Sequence, residues 1–165
     1  MLKLYKYNPD FINQFATERD RLNEVLGDEY IIEHVGSTAV PGLDGKGIID
    51  ILIGCDDFDQ IKMCAEKLVK NGYFWGRNKS VDPNYIFLAS SEKDTTIGDF
   101  HIHLALKDSK FFMDYIKIRD YLRNNPDVAK KYSDLKYKIA ESTDFDRQEY
   151  KKQKSQFIEE ILKTE

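Results

Sequence analysis

Cysteine is scarce in this chain of 165 residues, which carries only Cys55 and Cys64. Their spacing forms neither a CxxC redox pair nor a zinc knuckle, so two buried free thiols are expected. Positive charge is not in excess either. Twenty-five Lys and Arg against 29 Asp and Glu leave a net charge of −4, with a sequence pI near 5.5. That balance lacks the broad basic footprint of a duplex nucleic-acid binder, although local basic patches stay open. No apolar run is long enough to cross a bilayer, and the opening MLKLYKYNPD has neither the apolar stretch nor the small-residue cleavage site of a secretory signal. The expectation is a cytoplasmic protein with no membrane partner.

What the chain does have is core material: 41% hydrophobic residues, among them ten Tyr and ten Phe, against 33% charged residues. A chain of this length buries roughly two-thirds of its unfolded surface, enough for one core. With no repeat and no linker in view, residues 1–165 are read as a single domain.

Residues 9–26 place Phe11, Ile12, Phe15, Leu22, Val25 and Leu26 at helical spacing, with Asn8 as N-cap, Pro9 at the first helical position and Gly27 past the end. Residues 30–35 and 48–54 read as strands, the second apolar enough to be central. Asp57 and Gln60 predict a capping box for a helix ending at Asn71-Gly72. Three further strands are expected over 73–76, 85–89 and 99–106, the last two antiparallel across a polar loop over 90–98. Beyond Leu106 the spacing turns helical, with stripes of Phe111, Tyr115, Ile118 and Leu122, then Val128, Tyr132, Leu135 and Ile139, separated by Asn125-Pro126. A final helix, capped near Thr143 or Asp144, carries Tyr150, Phe157, Ile158 and Ile161. The fold class is α/β, a sheet half followed by a helical half.

Chemistry concentrates in IIEHVGSTAVPGLDGKGIIDILIG. Gly36, Gly42, Gly45 and Gly47 let backbone approach a ligand, and exposed N–H groups in such loops form anion-binding concavities. Phosphate is the natural guest, with Ser37 and Thr38 adding hydroxyls, Lys46 a positive charge, and His34 flanking the turn. The loop fails both the Walker A and the GxGxxG patterns. Strand alternation sets Ile49, Ile51 and Ile53 on one face and Asp50 on the other with Ile48 and Leu52, so Asp50 is a carboxylate among apolar neighbours. Such a group needs a hydrogen-bonded, paired or cation-binding environment, and either a structural bond to loop backbone or a functional role supplies one.

In DFHIHLAL, Asp99, His101 and His103 share one strand face and Phe100, Ile102, Leu104 and Leu106 the other. His-x-His on a strand suits a divalent metal, or else forms a solvated polar face. Arg119 and Arg123, and Tyr132 and Lys136, lie at i and i+4, and either pair is placed to reach a phosphate or carboxylate.

The segments HVGSTAVPGL, KGIIDIL, HIHL and IRDYLRNNP, in this order, resemble the GrpB family of small bacterial proteins, and the resemblance runs from YNPDF to the closing YKKQKSQFIEEIL. It implies a nucleotidyltransferase-like mixed β-sheet with flanking helices and a site at the glycine-serine turn. Gly36, Ser37 and Asp50 match the turn and the metal-bearing strand of that superfamily, His101 and His103 match the family's histidine strand, and Arg119 its RDYLR segment. The activity that the resemblance implies is metal-dependent transfer of a nucleotide from a nucleoside triphosphate to a small-molecule acceptor. Asp50, His103 and Arg119 would be catalytic, and Asp50, His101 and His103 would hold Mg²⁺, Mn²⁺ or Zn²⁺. Fusion of some relatives to dephospho-CoA kinase implies a link to coenzyme A metabolism. The sequence departs from the active pattern at Leu52, where a second carboxylate would stand. The alternative is therefore a non-catalytic binder of a nucleotide or phosphorylated metabolite, since Leu supplies no oxygen ligand.

Overall fold

The computed structural model describes residues 2–76, 84–92, 99–142 and 146–165. Helix α1 (Phe11–Leu26) leads into strand β1 (Ile31–Val35), a single 3-10 turn over Ser37–Ala39 and strand β2 (Ile49–Cys55). Helix α2 (Phe58–Lys70) is followed by β3 (Phe74–Trp75), β4 (Tyr85–Ala89) and β5 (Phe100–Leu106), then by helices α3 (Lys110–Asn124), α4 (Pro126–Ala140) and α5 (Arg147–Leu162). The strands form one mixed sheet in the order β1-β2-β5-β4-β3, with β2 and β5 parallel and the other pairs antiparallel. The antiparallel β4–β5 pairing is the one the sequence led us to expect, and the described part of its connecting loop ends at Glu92.

Alternation along β2 and β5 divides the two faces as their apolar patterns require. Ile49, Ile51, Ile53, Ile102 and Leu104 pack with Leu22 and Leu26 of α1 and Ile61, Cys64 and Leu68 of α2 in the larger core. On the opposite face Val35, Leu52 and Ala105 meet Phe112 of α3. A third cluster joins Val40 and Leu43, in the segment between β1 and β2, to Leu122 of α3, Tyr132 of α4 and Ile161 of α5. Cys55 and Cys64 are both buried free thiols. Among the described residues no helix is long and apolar enough to cross a membrane.

Element ends differ from expectation where side chains found nearer partners. Regular α1 begins after Asp10, and the Asn8 side chain accepts the Asp10 N–H at 3.0 Å, the bond expected of an N-cap, over the irregular turn that precedes the helix. At α2, Asp57 accepts the Gln60 N–H at 2.8 Å, while Gln60 reaches back to the N–H of Asp56 at 2.9 Å, one residue earlier than a standard capping box. Asp146 caps α5 through the Gln148 N–H, and Thr143 and Asp144 lie outside the described residues.

Leu52 has no exposure to solvent. Leu52→Ala is therefore expected to cost about 2–5 kcal/mol, as other buried leucine truncations do, read from the denaturant midpoint.

Candidate ligand-binding site

Asp50 sits on the interior strand β2, opposite Val35 of β1 and His101 of β5. Its side chain faces the side that α3 covers. His103 Nε2 lies 2.9 Å from Asp50 Oδ1, and His101 Nδ1 is 3.6 Å from the same oxygen. Behind this pair the Tyr85 hydroxyl stands 2.7 Å from His103 Nδ1. Burial pushes the Tyr85 phenol upward, so it remains a donor, and the chain runs from Tyr85 O–H to His103 Nδ1 and from Nε2–H to Asp50. Burial pushes the Asp50 carboxyl up, but the hydrogen bonds from His101 and His103 outweigh it and hold the group well below the usual carboxylate range. Asp50 is thus an ionised carboxylate fixed in place.

The turn at Gly36 is shaped by that carboxylate. Its φ is +75°, and a Cβ there would lie 2.4 Å from Asp50 Oδ2. Glycine is needed both for the left-handed backbone and for the close approach.

In front of Asp50 opens a pocket of about 360 Å³, lined by Gly36, Ser37, Lys46 and His101 on the sheet side and by Tyr115, Arg119, Tyr132, Lys136, Tyr150 and Lys154 from α3, α4 and α5. Lys136 is buried. Its Nζ donates to the Asp44 carbonyl and lies 4.7 Å from the Tyr132 ring centroid. The Asp44 carboxylate is engaged elsewhere, by Lys6 Nζ at 2.9 Å and the Tyr7 N–H at 2.8 Å. Burial, reinforced by the charge of Lys154, pushes Lys136 down to about 7. Lys46 and Lys154 reach the pocket from solvent-accessible positions on its rim. Both are lowered, first by desolvation, and Lys46 also by Lys154 and Arg147. Desolvation opposes the charge of Arg119, but hydrogen bonds to Asp120 and Glu33 raise it on balance. Its Nη1 donates to Glu33 at 2.5 Å and to the His34 carbonyl at 3.2 Å.

Of the residues singled out in the sequence, Gly36, Ser37, Lys46, Asp50, His101 and Arg119 converge on the pocket. His34 and Thr38 do not. His34 pairs with Ile51 and shares its face, so the imidazole turns away from Asp50, stacks on Phe15 at 4.6 Å and bonds the Thr38 hydroxyl at 2.9 Å. Burial pushes it down to about 4, with Arg123 adding to the shift. His103 stands behind Asp50, outside the lining, and holds the carboxylate. Arg123 donates to the Ala39 carbonyl at 2.7 Å, and Asp99 accepts from Ser91 at 2.6 Å.

The expected metal set of Asp50, His101 and His103 comes together, but as a hydrogen-bonded unit. Both His103 nitrogens have partners, and the described residues contain no group of three or more His, Cys, Asp or Glu arranged to hold an ion. Leu52, where a second carboxylate would stand, is sealed among Val35, Ala105 and Phe112. A two-ion centre does not fit this donor set.

The pocket's aromatic and cationic wall is only partly visible in the sequence. Tyr132 and Lys136 stand out as an i, i+4 pair, whereas Tyr115 reads as core and Lys154 as part of a solvated face. The signal for Lys154 is a lysine inside the stripe of Tyr150 and Ile158, at i+4 and i+8 along α5.

A family model described as GrpB protein matches residues 1–164. The glutamate-rich protein GrpB of Alkalihalophilus pseudofirmus is 30% identical over 161 residues, 96% of this chain and 92% of that protein. A UPF0157 protein of Pseudomonas aeruginosa is 34% identical over 160 residues, 94% of this chain but 64% of its own length. Among solved structures, the conserved protein GrpB from Enterococcus faecalis has a TM-score of 0.77 at 25% identity, covering 98% of this chain and all of that one. The Cid1 poly(U) polymerase with MgGTP bound has a TM-score of 0.57 at 14% identity, over 82% of this chain and 44% of Cid1. At that identity the likeness is one of fold.

Three variants probe the turn and the strand beside it. Gly36→Ala should lose about 1–2 kcal/mol from left-handed backbone strain and a further share from contact with Asp50. Gly42→Ala, at φ +80° with nothing within 4 Å of the added methyl, should lose the backbone share alone, and chemical denaturation reads the difference. His34 titrates near 4 when folded and near 6.5 when unfolded, so the unfolded chain binds more protons between those values. Its contribution is complete above pH 6.5 and fades as pH falls toward 4. Urea midpoints measured from pH 7.5 to 4.5 should fall further for the parent protein than for His34→Phe.

Proposed function

The chain belongs to the GrpB protein family, and from that premise we propose that its pocket binds a nucleotide or another phosphate-bearing small molecule. One observation carries this reading: Lys46, Lys136 and Lys154 converge on a single cavity, where desolvation disfavours the charge of all three and the charge of Lys154 adds to the effect at Lys46 and Lys136. An anion placed among them relieves that repulsion and turns an electrostatic cost into charge-assisted hydrogen bonds. Ser37 and Arg119 line the same cavity from its two sides, and Tyr115, Tyr132 and Tyr150 offer rings of the kind on which a base or other planar group packs.

A second reading, transfer of a nucleotide from a nucleoside triphosphate to a small-molecule acceptor, is favoured by the fold shared with the Cid1 polymerase and by the ionised Asp50 against the Gly36-Ser37 turn. In that reading Asp50 offers one carboxylate to a divalent ion, Mg²⁺ or Mn²⁺ in preference to Zn²⁺. His103 fixes the carboxylate's position, and Arg119 faces the developing phosphoryl charge. Because two-ion chemistry draws on several oxygen ligands and this strand carries one, binding stands ahead of transfer.

Calorimetry with nucleoside triphosphates, pyrophosphate, sugar phosphates and coenzyme A should find a ligand whose affinity falls steeply with added salt. Lys154→Gln should weaken it by roughly tenfold, the equivalent of about 1.4 kcal/mol. No heat and no thermal shift with any of these anions would reject the binding reading. Labelled nucleotide, Mg²⁺ or Mn²⁺ and a metabolite extract test transfer separately, which must disappear in Asp50→Ala.

A further inference from the structure

Lys136 is a buried titratable group that no ion pair explains. Most lysines of the described chain stand at the surface, and several pair with carboxylates, as Lys130 does with Asp134 at 2.8 Å. Lys136 instead lies in the wall of the cavity with 4% of its surface exposed. Among the described residues its hydrogen-bond acceptor is the neutral carbonyl of Asp44. The carboxylate of that same residue is occupied by Lys6 and the Tyr7 N–H. From α5, Lys154 adds a like charge, and from its own helix Tyr132 presents a ring face 4.7 Å away. That ring favours the ammonium, but burial and the charge of Lys154 outweigh what opposes them, so the amine is driven toward its neutral form. With one N–H committed to the Asp44 carbonyl, a neutral amine retains a lone pair, and the open side of the residue is the cavity.

We propose that Lys136 is a nucleophile that condenses with the carbonyl carbon of a phosphate-bearing aldehyde or ketone held in this pocket. The nitrogen lone pair forms the new bond to carbon. The carbonyl oxygen leaves as water with the two amine hydrogens, and the product is an imine, with no change of oxidation state. The phosphate half rests on the anion-binding reading above, with Lys46 and Lys154 as its partners. The amine half rests on the burial of Lys136 and on the engagement of the Asp44 carboxylate by other groups.

Pyridoxal 5′-phosphate, with unphosphorylated pyridoxal as its control, is a suitable probe because borohydride traps the imine for peptide mapping. At pH 7 the modification is expected to concentrate on Lys136, with a yield that rises with pH through a midpoint near 7, since only the neutral amine attacks. Surface lysines should lag by roughly tenfold or more at that pH, because a lysine of ordinary pKa keeps its proton there. Lys136→Arg, which keeps the charge and is checked for folding by circular dichroism, should remove the modified peptide. Lys154→Gln should erase the advantage of the phosphorylated aldehyde over pyridoxal. An unmodified Lys136 at pH 7 beside labelled surface lysines overturns the proposal, in the parent protein and without reliance on any variant. Equal labelling of Lys136 by both aldehydes keeps the nucleophile and removes the phosphate reading. Anion binding by calorimetry with Lys136 unlabelled does the reverse.

Discussion

A charged carboxylate on an interior strand of the sheet is the constraint around which the rest is arranged. Left without partners, an ion in that position costs several kcal/mol, and strand β1 on its other side offers it only Val35. The parallel register of β2 with β5 supplies the remedy, setting His101 directly beside Asp50 and His103 one step along the same face. From there the requirement spreads outward. Tyr85 on β4 fixes the second nitrogen of His103, so three strands hold one side chain in position. The glycine at position 36 is the same requirement seen from the turn, where no Cβ fits beside the carboxylate.

The opposite wall is built on the opposite principle. There, cations are brought together and their natural partners are drawn off. The loop over 42–47 shows how: Tyr5 and Gly45 exchange backbone hydrogen bonds at 2.7 and 3.1 Å, and the Asp44 N–H donates to Ser133 at 3.0 Å. The Asp44 carboxylate turns outward to Lys6 and Tyr7. The loop is clamped between the N-terminal segment and α4, and the acid that would neutralise Lys136 faces away from it. Fixed dipoles and lysines with no ion pair among the described residues, set around a preformed cavity, would reduce the ordering a ligand must impose.

The sheet and its central carboxylate were legible because a period of two is a local property. Apolar residues at 49, 51 and 53 and at 102 and 104 left Asp50, His101 and His103 on one side, as the structure has them. His34 was misplaced for the complementary reason. Nearness in sequence to the glycine-serine turn says nothing about which face a side chain takes, and it is the pairing of His34 with Ile51 that turns the ring into the core. Lys154 was lost because a lysine on a terminal helix rich in Lys and Glu reads as solvated, and only the packing of α5 against α3 and α4 gives it a pocket to face. The metal set turns on a finer point. Chelating spacing was present, but the carboxylate and Tyr85 had already engaged the imidazole nitrogens of His103.

The cavity draws its two walls from distant stretches of chain, with Asp50 on β2 and Lys154 on α5. During vectorial synthesis the strand bearing the carboxylate leaves the ribosome long before the last helix does. Until α5 docks, the sheet has its fixed anion, but neither the cationic wall nor the core cluster to which α5 gives Ile161 is complete. A molecule that bridges the two walls would then act as a clasp on the final helix, adding its binding free energy to the docking of α5. Occupancy of the pocket would thereby become a mark of finished folding.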